Sequence, residues 1–189
     1  MPESEFGPQF IDLVLDLDAF DPDRAAAAER DLAARGIALE TLATEQRRRA
    51  ATWLAEFTDL ENATRAHLGE PPRTPAEMVE RLAFLRVAPE ALFVARAGER
   101  YLGYTCLNVR ESDGETLVQG WTGVRPEARG RGLATALKLV GAAYAKARGY
   151  RRLVTAPRRT NAASLRTNAK VGFRARSAAE GRARRGPAA

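Results

Sequence analysis

The sequence predicts an α/β (α+β) protein, on three observations. Residues 9–18 alternate apolar and polar side chains with period two. Residues 91–124 read as a meander of three short strands separated by turn residues. Residues 116–173 run strand, glycine-rich loop, helix, strand, helix, and end on Gly172-Phe173.

Taken in order, Ile11, Leu13, Leu15 and Leu17 alternate with Asp12, Val14, Asp16 and Asp18, the signature of a half-buried strand. Asp21-Pro22 opens an alanine-rich helix that reaches about Arg35 and stops at Gly36. A second strand is expected over 37–42. Thr44 is placed to cap a long helix from Glu45, broken near Thr58 and Asp59 and ended by Gly69. Glu70-Pro71-Pro72 is a turn. In Thr74-Pro75-Ala76-Glu77, threonine caps, proline suits the first helical position and glutamate completes a capping box, so a helix runs to about Arg86. Strands follow at 91–97, 101–109 and 115–124, with turns at Gly98-Glu99 and Ser112-Asp113-Gly114. The last of them ends at Val124, a basic loop covers 125–131, and a helix begins near Gly132. Leu133, Leu137, Val140 and Tyr144 form its buried stripe, Lys138, Lys146 and Arg148 face water, and Gly149 ends it. A buried strand over 152–156 and a short helix over 161–170 complete the pattern, with Phe173 packing after Gly172. The tail from Arg174 has almost no large apolar residue and reads as mobile.

A chain of 189 residues with 45% hydrophobic and 29% charged residues is long enough to bury a core, which excludes a mostly disordered chain or a disulfide scaffold. Cys106 and His67 are the only residues of their kinds, so disulfide, zinc-knuckle and twin-histidine chemistry are excluded and no metal is expected. The apolar stretches are too short to span a bilayer, and MPESEF does not read as a signal peptide. A soluble, cytoplasmic protein with no membrane partner is expected. The net charge of +6 is uneven: residues 1–23 carry seven acids and no base. Arginine outnumbers lysine 27 to 3. That excess has a bland reading, a GC-rich genome, and a sharper one, an anionic partner such as nucleic acid or a phosphorylated cofactor.

Arg129-Gly130-Arg131-Gly132-Leu133-Ala134 sits where a strand turns into a helix. Glycine lets a backbone approach a ligand, and the first N–H groups of a helix together with its dipole favour a phosphate. A flexible surface turn with solvated arginines is the competing reading. No GxxxxGK[ST] string exists, and Gly130-x-Gly132 followed by Thr135 does not complete a GxGxxG dinucleotide fingerprint.

Arg129-x-x-Gly132-x-Ala134 resembles the [QR]xxGx[GA] acyl-CoA signature of the GNAT superfamily of acetyl-CoA-dependent N-acetyltransferases. Thr122-Gly123-Val124-Arg125-Pro126-Glu127 is similar to that family's entry into the loop, and Asn161 through Gly172-Phe173 to its N-x10-GF helix. The resemblance covers about residues 36–173, so residues 1–35 become an N-terminal strand–helix extension and 174–189 a basic tail. It implies the GNAT fold: a mixed, mostly antiparallel central sheet with helices on both faces and a splayed cofactor cleft, here between 116–124 and 152–156. It implies that acetyl-CoA is the co-substrate. Val124, Arg129, Gly130, Arg131, Gly132, Leu133, Ala134 and Asn161 would bind it, with the pyrophosphate on the N–H groups of 130–134. A neutral amine of a small molecule would attack the thioester directly in a ternary complex, with the Val124 backbone stabilising the oxyanion.

The catalytic positions depart from the family pattern. Where many members carry a tyrosine acid four residues before the GF glycine, this chain has Asn168, with the hydroxyls of Ser164 and Thr167 nearby. The strand that often carries a central carboxylate has Gln119, while Glu115 comes early. Asp59, Glu61 and His67 are candidate acceptor-side groups, each with a surface reading beside it. Cys106 reads as core rather than as an acyl carrier. These departures keep a second reading open, a non-catalytic acyl-CoA-binding module acting as sensor or partner protein. Nucleic-acid binding is disfavoured, because no aromatic-interleaved basic patch exists and aromatics are only 7%. The strand at 10–17 is surplus to the family's unit, which usually ends with two strands after the GF helix. It is expected to pair with a sheet edge, within its own chain or in the partner subunit of a homodimer.

Overall fold

The computed structural model describes residues 7–66, 69–109 and 114–177. Chain order is β1 (Leu13–Asp16), α1 (Asp23–Ala34), β2 (Ile37–Thr41), α2 (Leu42–Arg48), α3 (Trp53–Arg65), α4 (Pro75–Phe84), β3 (Leu92–Ala97), β4 (Arg100–Val109), β5 (Thr116–Val124), α5 (Leu133–Ala147), β6 (Arg152–Thr155), α6 (Ala162–Val171) and β7 (Arg174–Ala175). Short 3₁₀ turns at Pro89–Ala91 and Pro126–Ala128 precede β3 and follow β5.

The strands form one sheet in the order β2-β3-β4-β5-β6-β1-β7. Only β5 and β6 run parallel; every other pairing is antiparallel. Helices cover both faces. Leu17, Leu32, Leu137, Ala142, Leu153 and Val171 pack α1, α5 and α6 on one side. Leu42, Phe57, Leu60, Met78, Val94 and Tyr104 pack α2, α3 and α4 on the other. Each such buried side chain contributes about 1.5–3 kcal/mol, so the two layers hold the sheet as a rigid platform. Among the described residues no helix is long and apolar enough to cross a membrane.

Local chemistry explains the termini of most elements. The capping box at Thr74 forms as expected: its hydroxyl accepts from Glu77 N–H while the Glu77 carboxylate accepts from Thr74 N–H. Gly172 takes φ +115° to end α6, and the N–H groups of Gly172 and Phe173 both return to the Asn168 carbonyl.

Several expectations are corrected. The helix over 45–69 is two helices, broken at Arg49–Thr52 rather than at Thr58, and Thr41, not Thr44, caps the first by accepting from Thr44 N–H. The break lets Glu45 reach the core, where Tyr101 donates to it at 2.8 Å and Arg48 and Arg96 pair with it. The strand at 10–17 is not half-buried: Val14 is as buried as Leu13 and Leu15, because β1 lies between β6 and β7 rather than at an edge. Its pairing is within the chain, Leu13↔Thr155 through Asp16↔Arg152. Lys138 does not face water but is 4% exposed. Lys146 is half-buried and donates to the carbonyls of Asp18 and Phe20. The tail expected from Arg174 is not free at its start: Arg174–Ala175 form β7, paired with Leu13 and Val14, because the unpaired edge of β1 offers them a partner; residues from 178 lie outside the described ones.

Candidate active site

β5 and β6 pair at Thr116↔Arg152, Leu117↔Leu153 and Val118↔Val154, and no further. From Gln119 onward β5 continues alone to Val124 on that side, while β4 still pairs with its other edge. The splay expected between these strands thus opens only beyond Val118. A bulge sets it up: Leu107 faces Gln119 and Thr105 faces Thr122, so Gly120 and Trp121 share one partner, Cys106. A Cβ at Gly120 would stand 2.8 Å from Cys106 Sγ, which makes glycine necessary there.

The end of β5 is aimed by alternation. Arg125 N–H bonds the Leu102 carbonyl of β4 at 2.9 Å. The backbone N–H and C=O of Val124 therefore point the opposite way, into the gap. There the Val124 carbonyl accepts from Arg129 Nε at 3.1 Å. Arg125 itself is buried. Its side chain donates to the Tyr101 carbonyl and to Asp59, at 2.6 and 2.5 Å, bracing the start of the loop against β4 and α3.

The loop then turns through two left-handed glycines, Gly130 at φ +76° and Gly132 at φ +84°. Nothing lies within 4 Å of where a Cβ would stand at either one, so the space before them is open. The first intrahelical bond of α5 runs from Ala136 N–H to the Gly132 carbonyl. The N–H groups of Leu133, Ala134 and Thr135 consequently have no acceptor within the helix. They present partial positive charge beside Arg129 and Arg131, both exposed. Arg35 of α1 holds this turn by donating to the Arg131 carbonyl at 3.1 Å. The cradle fits a diphosphate, and the unpaired edge of β5 fits an extended, amide-bearing chain laid alongside it.

Asn161 caps α6, its side-chain oxygen accepting from Ser164 N–H at 2.9 Å. Asn168 lies one turn before the end of α6 with no exposed surface. Its amide nitrogen reaches Ser164 Oγ at 3.5 Å, and its oxygen has no hydrogen-bond partner among the described residues. Thr167 is spent on the Ala163 carbonyl. Gln119 lies on the α5 face, where it donates to Thr105 Oγ1 and the Cys106 carbonyl, and its oxygen is also unpartnered among the described residues. Cys106 is buried and its thiol is pushed up to about 11, chiefly by desolvation, which suits a core residue and not a thiolate. Lys138, which sequence reasoning sent to solvent, stands between α5 and α6 with its ammonium 5.8 Å from the Phe173 ring. Desolvation lowers it to about 8.

On the opposite face Trp121, Tyr104, Glu61 and Arg81 line a small hollow of about 20 Å³ between the sheet and α3–α4. Arg81 stacks 3.5 Å from the Trp121 ring centroid. Glu61 is buried and surrounded by Arg65, Arg73 and Arg81, not solvated. Asp59 is committed to Arg125, and Glu115 to Arg152. His67 lies outside the described residues. The structure thus brings Val124 and the 129–134 loop together with the gap. It places Gln119 and Asn168 in the protein interior on its α5 side, and removes Asp59 and Glu115 from the cleft. The arginines of the hollow were invisible to periodicity, because they come from two helices and a loop.

The family model described as "Acetyltransferase (GNAT) family" matches residues 52–173. No curated protein matches the chain. Among solved structures, a GCN5-related N-acetyltransferase from Sphaerobacter thermophilus superposes with TM-score 0.62 at 20% identity, covering 88% of this chain and 48% of that one. A tandem GNAT protein from the clavulanic acid biosynthesis pathway gives 0.59 at 22% identity, covering 88% and 50%. The ribosomal-protein-S18-alanine N-acetyltransferase of Escherichia coli gives 0.55 at 17% identity, covering 75% and 79%. The chain spans about half the length of the first two. At these identities the likeness is one of fold.

Proposed function

The chain belongs to the GNAT acetyltransferase family, and from that premise we propose that it is an N-acetyltransferase that moves the acetyl group of acetyl-CoA to a primary amine of a small molecule. The observation that carries this reading is the glycine cradle at 130–134 opening onto the unpaired edge of β5. Bound acetyl-CoA supplies the activated acetyl group. The chain supplies the rest. Leu133, Ala134 and Thr135 N–H groups, with Arg129 and Arg131, hold the diphosphate. The Val124 backbone aligns the pantetheine, and its N–H donates to the carbonyl oxygen on which negative charge develops. Asn161 contributes an amide donor from the start of α6. Direct attack by a neutral amine asks the protein mainly to orient two bound molecules, a contribution worth several kcal/mol.

In this reading residues 36–173 form the acetyltransferase unit, and β1 with β7 on its far edge completes the sheet. The enzyme acts in the cytoplasm, as a monomer or homodimer. One observation favours a second reading, a module that binds acyl-CoA without turnover: the position of the expected acid is a buried asparagine, which has no proton to release near neutral pH.

Calorimetric titration with acetyl-CoA tests the first step. The wild-type chain binds. Gly132→Glu, which adds a carboxylate at the diphosphate and strains φ +84°, abolishes binding in a variant whose melting transition survives. Unchanged affinity overturns the reading. Thioester turnover against a panel of amines separates enzyme from module: release of free coenzyme A with any amine supports the first, binding without turnover the second.

A further inference from the structure

Resting on the acetyl-transfer reading, we propose that Arg125 and Asp59 form a positioning pair: the guanidinium, held by α3, fixes the Val124 N–H at the angle that the developing oxyanion requires. The stretch of β5 that bears this N–H needs such a hold. β6 leaves β5 after Val118, so residues 119–124 pair on one side only, with β4. The bulge at Gly120 and Trp121 interrupts even that ladder. A strand edge with a single partner is a place where a chain opens locally. The β4 ladder ends at Gly103↔Val124 and at the bond from Arg125 N–H to the Leu102 carbonyl. The chain then turns at once into the 3₁₀ segment Pro126–Ala128. Beyond the last ladder bond the anchor is a side chain, that of Arg125.

That side chain is held at three points. Its Nε donates to the Tyr101 carbonyl at 2.6 Å, and its Nη2 donates to Asp59 Oδ2 at 2.5 Å and stands 3.5 Å from Glu56 Oε1. Glu56 Oε1 also accepts from Tyr101 N–H at 2.9 Å, so guanidinium and carboxylate together engage both backbone groups of one β4 residue. Tyr101 is a firm support, wholly buried with its hydroxyl on Glu45. Asp59 and Glu56 lie on α3, which therefore bears directly on the loop that follows β5. The Arg125 side chain is 3% exposed and that of Asp59 68%. A buried arginine is a costly way to fill space, and an apolar residue of similar volume is often at least as stable there. What arginine adds is direction, because its planar fork fixes the geometry of each bond it makes. Direction matters beside an oxyanion donor, which works by being aligned in advance; a misplacement of about 1 Å can cost about 10²-fold in rate. The diphosphate cradle at 130–134 has an anchor of its own, Arg35 on the Arg131 carbonyl. The pair therefore acts on turnover rather than on acetyl-CoA binding.

The test compares wild type with Arg125→Met, Arg125→Lys, Asp59→Ala and Asp59→Asn. For each, kcat and KM are measured with the best amine of the panel, acetyl-CoA affinity by calorimetry, and the melting temperature by thermal scan. Arg125→Met and Asp59→Ala are expected to lower kcat by about tenfold to hundredfold, less than the loss of about 10²–10³ on deleting an oxyanion donor outright. Acetyl-CoA affinity stays near that of wild type. Asp59→Asn, which keeps an acceptor, and Arg125→Lys, which keeps a cation, recover part of the loss. Wild-type kcat in a folded Arg125→Met, or in Asp59→Ala, overturns the inference. So does a loss of acetyl-CoA affinity in step with kcat, the mark of a merely structural role. If Arg125→Met fails to fold, Asp59→Ala decides, because Asp59 lies at the surface and water takes the place it vacates on Nη2. If the wild type acetylates no amine, the transfer reading falls and amide NMR decides the pair. Faster hydrogen exchange at the Arg125 amide and a shifted Val124 signal in Asp59→Ala, with the signals of residues 133–135 unmoved, support it. Unchanged Arg125 and Val124 signals overturn it, as does a disturbance spread equally over 133–135.

Discussion

Lys138 shows what a single residue costs when tertiary packing overrides helical periodicity. Lying off the Leu133–Tyr144 stripe it reads as water-facing, yet it stands beside the Phe173 ring, and burial lowers its pKa from 10.5 to about 8. The unfolded chain holds that proton up to about pH 10.5, whereas the folded chain releases it from about pH 8. At neutral pH the buried charge is a penalty on the order of 3 kcal/mol. Between pH 8 and 10.5 the unfolded state binds more protons than the native one, so this residue's contribution to stability rises with pH across that window. Lys138→Met is expected to raise the melting temperature at pH 7, and the gain over wild type to shrink as the pH approaches 10.5. A gain that stays constant over that range, measured by thermal melts of both proteins, contradicts the buried-charge account. The arginines of the hollow obey the same rule by another route. Arg65, Arg73 and Arg81 avoid isolation by sharing Glu61, and Arg65 and Arg81 also lie over the Trp121 ring.

Among the elements, β1 carries the largest consequence. Its alternating pattern announces a strand, but two neighbouring strands make it internal. Leu13 and Leu15 enter the α1–α5–α6 core, and Val14 is covered on the other face. An ion pair at one end and a backbone hydrogen bond at the other hold it. Asp18 pairs with Arg151 at 2.8 Å, and the Asp12 carbonyl accepts from Arg176 N–H just after β7. The β1–α1 connection is tied down by Lys146, and α1 by Arg24, which donates to the carbonyls of Lys170 and Val171. The exposed ion pair adds little; buried leucines supply most of the hold. Deleting residues 1–18 is expected to lower the melting temperature by more than about 10 °C, since several buried side chains at about 1.5–3 kcal/mol are lost and each kcal/mol shifts a chain of this size by about 2–4 °C. In the intact protein the amides of residues 13–16 should resist hydrogen exchange. An unchanged melting temperature, with residues 10–17 exchanging as fast as a free peptide, contradicts the inserted strand.

For the molecule as a whole, the basic balance is largely consumed internally. Arg24, Arg35, Arg48, Arg49, Arg65, Arg73, Arg96, Arg125, Arg151 and Arg152 each hold a carboxylate or a carbonyl of their own chain. They come from helices, strands and loops on both faces, so among the described residues these cations are not gathered into one stripe. A nucleic-acid backbone is bound through neutralised phosphates, with an affinity that falls steeply with salt. The expected behaviour is that a 20-base-pair duplex, followed by fluorescence anisotropy, binds only at low salt and not at about 150 mM. Acetyl-CoA affinity, which rests on a backbone cradle and few charges, should change far less over the same range. Retention of tight duplex binding at the higher salt contradicts this reading.

What the sequence determined by itself is what depends on neighbours along the chain. Period-two alternation located the strands, Thr74 and Glu77 their capping box, and Gly130 and Gly132 the left-handed turns that let backbone N–H groups face an anion. The loop proposed for acyl-CoA was legible for that reason: most of the groups assigned to it are backbone groups of one continuous segment, 124–134. What tertiary structure decided is what depends on residues far apart. The break between α2 and α3, the burial of Lys138, the seat of β1 between β6 and β7, and the convergence of Arg65, Arg73 and Arg81 on Glu61 are set by packing across the sheet. Local propensity distinguishes a helix from a strand, but whether a side chain meets water or a counter-charge is settled only when distant elements close over it, since burial and Coulomb energy depend on distance in space rather than along the chain.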